Sequence, residues 1–403
     1  MKKPHAKSWA HREYEINPSV ESVLVEQLSM THPASSDAQT LPAATSTAAV
    51  TWADPARQRA FEHWLQAISA ARPVQPASLR PASADASFRR YLRVNGEDGQ
   101  SLIIMDAPPD KEDCRPFARV AELMQQAGLR VPQVLAWDQG QGFMLLSDLG
   151  AQTMMQTIQT GPAQALPLRG QPTHDLFLAA IDTLVRWQSA SRPDLLPPYD
   201  DALLARELSL FPEWYVGRHR ALTLEPAQEQ TLQDAFELIR QHNLRALGGA
   251  RVYVHRDFMP RNLMASAAGE PLGVLDFQDA VYGPITYDIA SLMRDAFISW
   301  DEEFVIDITV RYWQQARKAG LPVGTDFGEF YEAVEWMGLQ RHLKILGIFA
   351  RLTLRDGKAQ YLADTPRFIA YVRQSASRYR LLAPLLRLLE QIEGGAVQAG
   401  YTF

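Results

Sequence analysis

The stretch Val254-His255-Arg256-Asp257-Phe258-Met259-Pro260-Arg261-Asn262, followed further on by Val274-Leu275-Asp276-Phe277, decides the reading of this chain. A carboxylate and an amide stand five residues apart, and a second carboxylate ends an apolar run fourteen residues beyond the amide. Phosphoryl transfer from ATP requires such a set: one group to orient a hydroxyl, and two oxygen ligands for the magnesium that neutralises the phosphates. Each piece alone carries little weight. In this order and in this half of the chain they point to one chemistry.

Working outward, 403 residues are enough for a sizeable core in one two-lobed unit or two domains. Hydrophobic residues at 46% and charged residues at 21% are ordinary for a globular chain. A formal net charge of −6 gives no basic stripe for nucleic acid, though local arginines and backbone amides can still bind a nucleotide. The single cysteine, Cys114, excludes an internal disulfide and a multi-cysteine zinc site, and reads as a buried, inert thiol. No run of eighteen apolar residues exists to span a membrane. Lys2 and Lys3 lack an apolar segment behind them, so the cytoplasm is the default compartment.

Residues 1–50 differ from the rest. His32 to Val50 is Ala, Ser, Thr and Pro with almost no large apolar side chain, which cannot offset the entropy of ordering; the segment is expected to be a disordered extension, with Met30 a candidate alternative start. Order is expected from Asp54-Pro55, a helix cap with proline behind it, and Phe61, Trp64, Leu65 and Ile68 follow at helical spacing. Ser87 to Val94 and Gln100 to Asp106 read as a hairpin around Asn95 to Gly99, then a helix from Pro116 to Ala127 and two strands, Val131 to Trp137 and Gly142 to Ser147. Residues 51–150 thus form a small sheet-rich lobe with flap and hinge strand, and 151–403 a helical lobe. In the latter, Val252 to Val254 and Gly273 to Leu275 read as a β-pair around a loop, and helices cover roughly 301–319, 326–355 and 365–391.

The chain resembles the aminoglycoside phosphotransferase family, relatives of the protein kinases. The similarity rests on Ala84 to Tyr91, Ile104 to Asp110, Leu145 to Gly150, Arg206 to Tyr215, His255 to Met264 and Val274 to Phe297. Within that family it is most similar to anomeric sugar kinases that phosphorylate N-acetylmuramate and N-acetylglucosamine. The resemblance implies an α+β, protein-kinase-like two-lobed fold with a hinge near Ser147 to Gly150. It also implies ATP and Mg2+ as cofactors, a small sugar as partner, and neither nucleic acid nor membrane.

On that footing Asp257 is the expected catalytic base, holding the attacking hydroxyl in line and accepting its proton. A sugar C1 hydroxyl is acidified by the ring oxygen, so a weak base suffices. Asn262 and Asp276 are the expected magnesium ligands, hard oxygen donors for a cation that keeps waters and bridges phosphates. His255 is expected to anchor the loop and Asp288 to brace it. Asp279 is expected near the metal or the substrate. Arg206 and Glu207 open the helix that borders the acceptor pocket in the family, where they bond sugar hydroxyls or face solvent. Arg206, Arg261 and Arg294 favour an anionic group on the acceptor, such as the lactyl carboxylate of N-acetylmuramate. Trp214 and Tyr215 read as core ahead of sugar platforms.

In the flap, Ser87, Arg89 and Arg90 are the candidates for phosphate contact, since small residues allow close approach and arginine forks onto phosphate oxygens. Backbone groups of Ser147 and Leu149 are expected at the adenine edge. One departure from the family stands out. The third strand carries no lysine for the α- and β-phosphates; Met105 or Asp106 stands there, and Glu122 on the next helix lacks its partner. Either a flap arginine substitutes or phosphates bind less tightly. Two competing functions remain at this point: a kinase of another acceptor (aminoglycoside, choline or hydroxylated amino acid), which would want a pocket dense in carboxylates, and a non-catalytic nucleotide-binding pseudokinase.

Overall fold

The computed structural model describes residues 50–82, 89–160, 172–266 and 270–394. The expected disordered extension and Ser87 lie outside the described residues.

Helix α1 (Pro55–Ala71) starts where Asp54 caps the amide of Ala56 and presents Phe61, Trp64 and Leu65 to the first sheet. That sheet has five strands: β1 (Val74–Pro81), β2 (Arg90–Gly96), β3 (Ser101–Asp106), β4 (Val134–Asp138) and β5 (Phe143–Ser147), in the order β1-β2-β3-β5-β4 with antiparallel neighbours. β1 went unread in the sequence because Pro76 and Pro81 interrupt it; both are tolerated on an edge strand, where a register shift follows Gln75. Helix α2 (Arg115–Gln126) crosses the other face through Phe117, Val120, Ala121 and Met124. The sheet therefore has two filled faces. Leu92, Val94, Leu102, Ile104, Phe143 and Leu145 pack with α1, while Met105, Met144 and Leu146 share a core with α2 and the helical lobe. That division follows from the period-two alternation of strand side chains.

The second lobe comprises α3 (Met154–Thr160), α4 (Pro172–Ser189), α5 (Asp201–Leu210) with a π-helical continuation over Phe211–His219, and α6 (Pro226–Gly249). Short strands β6 (Arg251–Val254), β7 (Leu263–Met264), β8 (Gly273–Val274) and β9 (Val281–Pro284) follow. Helices α7 (Thr286–Met293), α8 (Glu302–Lys318), α9 (Phe327–Leu354), α10 (Thr365–Arg378) and α11 (Ala383–Glu393) complete it. The two apolar runs flanking the motif do not pair with each other. β6 pairs with β9 and β8 with β7, because the chain folds back within one turn after Asn262 and each run finds a closer neighbour. The expected last helix is two, broken at Tyr379 to Leu382 ahead of Pro384. Trp214 and Tyr215 are core, Tyr215 donating to Glu393. No helix among the described residues is long and apolar enough to cross a membrane.

The lobes meet at Asp148 to Gly150. Asp148 accepts from Arg93 Nε (2.7 Å) and Ser101 Oγ (2.6 Å), and Arg93 Nη2 also reaches the Gly150 carbonyl at 2.9 Å. Arg130 joins the hinge to the β7–β8 hairpin: its Nη2 donates to the Leu149 carbonyl, its Nη1 to Ser266 Oγ, and its own carbonyl accepts from the Val274 amide.

Candidate active site

The loop after β6 is fixed by backbone groups that find buried side-chain partners. Asp288, fully buried near the start of α7, accepts the amides of His255 (2.7 Å) and Arg256 (3.0 Å). Burial pushes its carboxyl up to about 7, against the pull of the two amides and Arg341. His255 is 1% exposed; its Nε2 meets the Leu275 carbonyl at 2.9 Å and its Nδ1 the Asp257 amide at 3.3 Å. A ring that donates at one nitrogen and accepts at the other is neutral, in keeping with burial lowering its pKa to about 4. His255 and Asp288 both hydrogen-bond the backbone of this segment.

Asn262 closes the loop. Its Nδ2 donates to the Asp257 carbonyl at 2.8 Å and to Asp276 Oδ2 at 3.3 Å, so the amide and the second carboxylate share one space beside Asp257. Asp276 Oδ1 also accepts from Gln278 at 2.8 Å. Arg256 and Asp276 both hold positive φ, 77° and 64°, two of five such non-glycine residues among those described. Backbone strain of this kind collects at working sites. Asp257 is 7% exposed, and among the described residues no donor is bonded to its carboxylate. Burial and the charge of Asp257 push Asp276 up to about 8 and, with Arg256 pulling the other way, Asp279 to about 6. Beyond burial, Asp257 and Asp279 both push Asp276 up by their proximity. Among the described residues no group of three or more His, Cys, Asp or Glu is set to hold a metal. An amide and a carboxylate alone suit an ion that takes the rest of its shell from phosphate and water.

Several expected residues are placed differently. Glu207 is 4% exposed and accepts from Arg256 Nη2 (2.7 Å), Lys344 Nζ (2.8 Å) and Tyr199 Oη (2.5 Å); it clamps the loop, with its oxygens engaged by these three donors. Arg206 is exposed on α5, one residue and about 100° round the helix. Arg261 stacks on Phe297 and Arg294 pairs with Glu302, so the three arginines do not converge on one anionic group. The cations gathered around Asp257 are instead Arg256, Arg341 and Lys344. Arg341 and Lys344 were legible as an i,i+3 basic pair inside the apolar run Val334 to Leu352, a cue passed over in the reading. At the hinge, the amide and hydroxyl of Ser147 are bonded to Gln133 and the carbonyl of Leu149 to Arg130, so these are not open groups for an adenine edge.

In the flap the two arginines separate. Arg90 bonds Asp106 at 2.8 Å and the Thr51 carbonyl, and lies over Trp52, on the α1 side of the sheet and away from the cleft. Arg89 is 5% exposed and donates to Glu112 at 3.1 Å. Glu122 bonds only Gln126 among the described side chains and is not its counterpart. Cys114 is buried, its thiol pushed up to about 11, as an inert residue would be.

Residues 78–323 match the phosphotransferase enzyme family. The chain is 47% identical over 349 residues to a Neisseria meningitidis serogroup B protein named N-acetylmuramate/N-acetylglucosamine kinase, covering 86% of this chain and 99% of that one. It is 48% identical over 323 residues to a Pseudomonas aeruginosa protein of the same name, covering 80% of this chain and 91% of the relative. Among solved structures, an ADP-bound aminoglycoside phosphotransferase shares the fold with a TM-score of 0.51 at 15% identity, over 82% of this chain and 98% of that one.

Proposed function

Because the chain belongs to the phosphotransferase enzyme family, we propose that it transfers the γ-phosphate of ATP to the C1 hydroxyl of N-acetylmuramate and N-acetylglucosamine. The products are sugar 1-phosphates that feed recycling of cell-wall precursors, and the cytoplasm is the proposed compartment. The observation that carries the reading is the Asp257 carboxylate, unbonded among the described residues, beside an amide and a second carboxylate that touch each other.

Asp257 orients the anomeric hydroxyl toward the γ-phosphorus and takes its proton as the new P–O bond forms and the bond to the bridging oxygen of ADP breaks. The ring oxygen makes that hydroxyl a better acid, which matches a carboxylate base. Neutral His255, pinned between Leu275 and the Asp257 amide, fixes the height of the loop without entering the proton transfer. Magnesium, held by Asn262 and Asp276, would supply charge neutralisation on the phosphates. Asp279, which faces Arg256 and Asp257, is proposed to contact the sugar.

A phosphate-transfer assay over amino sugars, aminoglycosides and choline tests the acceptor. Transfer to the two N-acetylated sugars alone is expected. Turnover of choline or kanamycin with none of the sugars would overturn it.

A further inference from the structure

The third strand poses a question that the family's usual lysine would have answered. β3 directs Leu102, Ile104 and Asp106 toward α1, and Ile103 and Met105 toward the other lobe. Met105 is therefore the cleft-side residue. It is fully buried, opposite Tyr91 on β2 and Met144 on β5, in the core that holds Phe117 and Phe277. No cation can come from that position.

Arg89 precedes β2 and has the parity of Tyr91, so it lies on the Met105 face, about 7 Å along the strand direction from Tyr91. Its guanidinium meets Glu112 with the two side chains only 6% and 1% exposed. Glu112 is delivered by the β3–α2 linker, whose Pro108 carbonyl accepts the amides of Lys111 and Glu112. Gly142 seats that linker: its carbonyl accepts the Ala107 amide, and a Cβ there would stand 1.9 Å from the Ala107 carbonyl. From the same linker α2 runs on to stack Phe117 against Phe277, next to Asp276, with ring centroids 4.9 Å apart. Glu112 thus sits in the linker that leads into the helix packed against Phe277, next to Asp276.

We propose that Arg89 supplies the cation for the α- and β-phosphates of the nucleotide, replacing the strand lysine from the segment just ahead of β2 on the same face, and that Glu112 is its positioning residue. A purely structural explanation is weak on physical grounds. Burying two charges costs desolvation that their attraction seldom exceeds, and apolar residues of like volume would hold the linker as well. A planar fork also suits two phosphate oxygens at once. The charge of Arg89 reaches Asp276 and Asp279, where it offsets part of their crowding.

The proposal rests on the kinase reading, yet its test needs no acceptor. Affinities for Mg-ADP and for adenosine are measured by calorimetry on the full chain, for wild type, Arg89→Met, Arg89→Lys, Glu112→Gln and the Arg89→Met/Glu112→Gln pair. Arg89→Met is expected to weaken ADP by about tenfold to a hundredfold, the scale of a charge-assisted bond, and to leave adenosine unchanged. Arg89→Lys falls between. Glu112→Gln weakens ADP in the wild-type background and has no further effect once Arg89 is gone. If Arg89→Met fails to fold, Arg89→Lys and Glu112→Gln still decide. Wild-type ADP-to-adenosine ratios in both, or equal loss of both ligands, overturn the proposal. Failure of the sugar assay with an Arg89-dependent ADP affinity would sink the acceptor and leave this inference standing.

Discussion

Asp257 stands in the helical lobe and Arg89 in the sheet lobe, and their surroundings are built differently. Around Asp257 the chain holds itself: Asp288 takes two successive amides, His255 ties Asp257 to Leu275, and Asn262 reaches back to the Asp257 carbonyl, all within residues 255–288. Arg89 bonds at long range as well: Glu112 comes from a linker 23 residues on, and the face Arg89 occupies follows strand parity. A site whose hydrogen bonds close over short separations leaves a spacing in the sequence. One assembled from separate elements leaves only residue types.

The largest test of this contrast is Asp257→Asn. Transfer should fall by at least about a hundredfold, the scale of a positioned acid–base group, with the fold retained because no hydrogen bond from another described residue to the carboxylate is lost. A loss of only a few-fold would break the reading of the helical lobe. Next is Glu207→Ala, which strips Arg256 and Lys344 of a shared buried partner and should cost about 3–5 kcal/mol in denaturant unfolding. The pH dependence carries a sign. The Lys344 and Arg256 charges overcome burial and hold Glu207 at about 2, below its usual 4.5, so its contribution is complete above pH 4.5 and is lost as pH falls toward 2. The acid limb over that window should be shallower in the variant, with Asp307 and Glu302 still contributing to it.

Asp276→Ala should raise the magnesium needed for half-maximal transfer by at least about tenfold, since even an outer-shell partner is worth that much. Metal-free, it should unfold no earlier than wild type, because the group removed is one that burial and Asp257 oppose. The smallest effect is expected at Arg90→Met. Arg57 still holds Asp106, and the lost pair is part-exposed, so stability should fall by about 1 kcal/mol or less and ADP affinity should not change. An Arg90 variant that loses ADP as Arg89→Met does would erase the distinction between the two faces.

Much of this was legible from residues alone, for reasons that differ by region. That Asp257, Asn262 and Asp276 come together was readable because loop closure fixes their separations. The α1 stripe and the long α9 were readable because amphipathic and apolar periods follow helix geometry. Strand β1 was not, since its prolines hide an edge strand. The pairing of β6 with β9 was missed because two short apolar runs carry no mark of which neighbour each will choose. The role of Glu207 inverted for a similar reason. Its partners Arg256 and Lys344 lie 49 and 137 residues away, so sequence shows a polar helix start where the fold makes a buried clamp.

Met105 has one more consequence. Nucleotide analogues bearing an aldehyde or a sulfonyl fluoride react by attack of an amine, and β3 offers them a thioether, sealed from water. Amine-directed ligands developed against lysine-bearing relatives would find no amine on that strand. A dicarbonyl warhead that condenses with guanidinium groups is the matched electrophile, and ADP should shield its target.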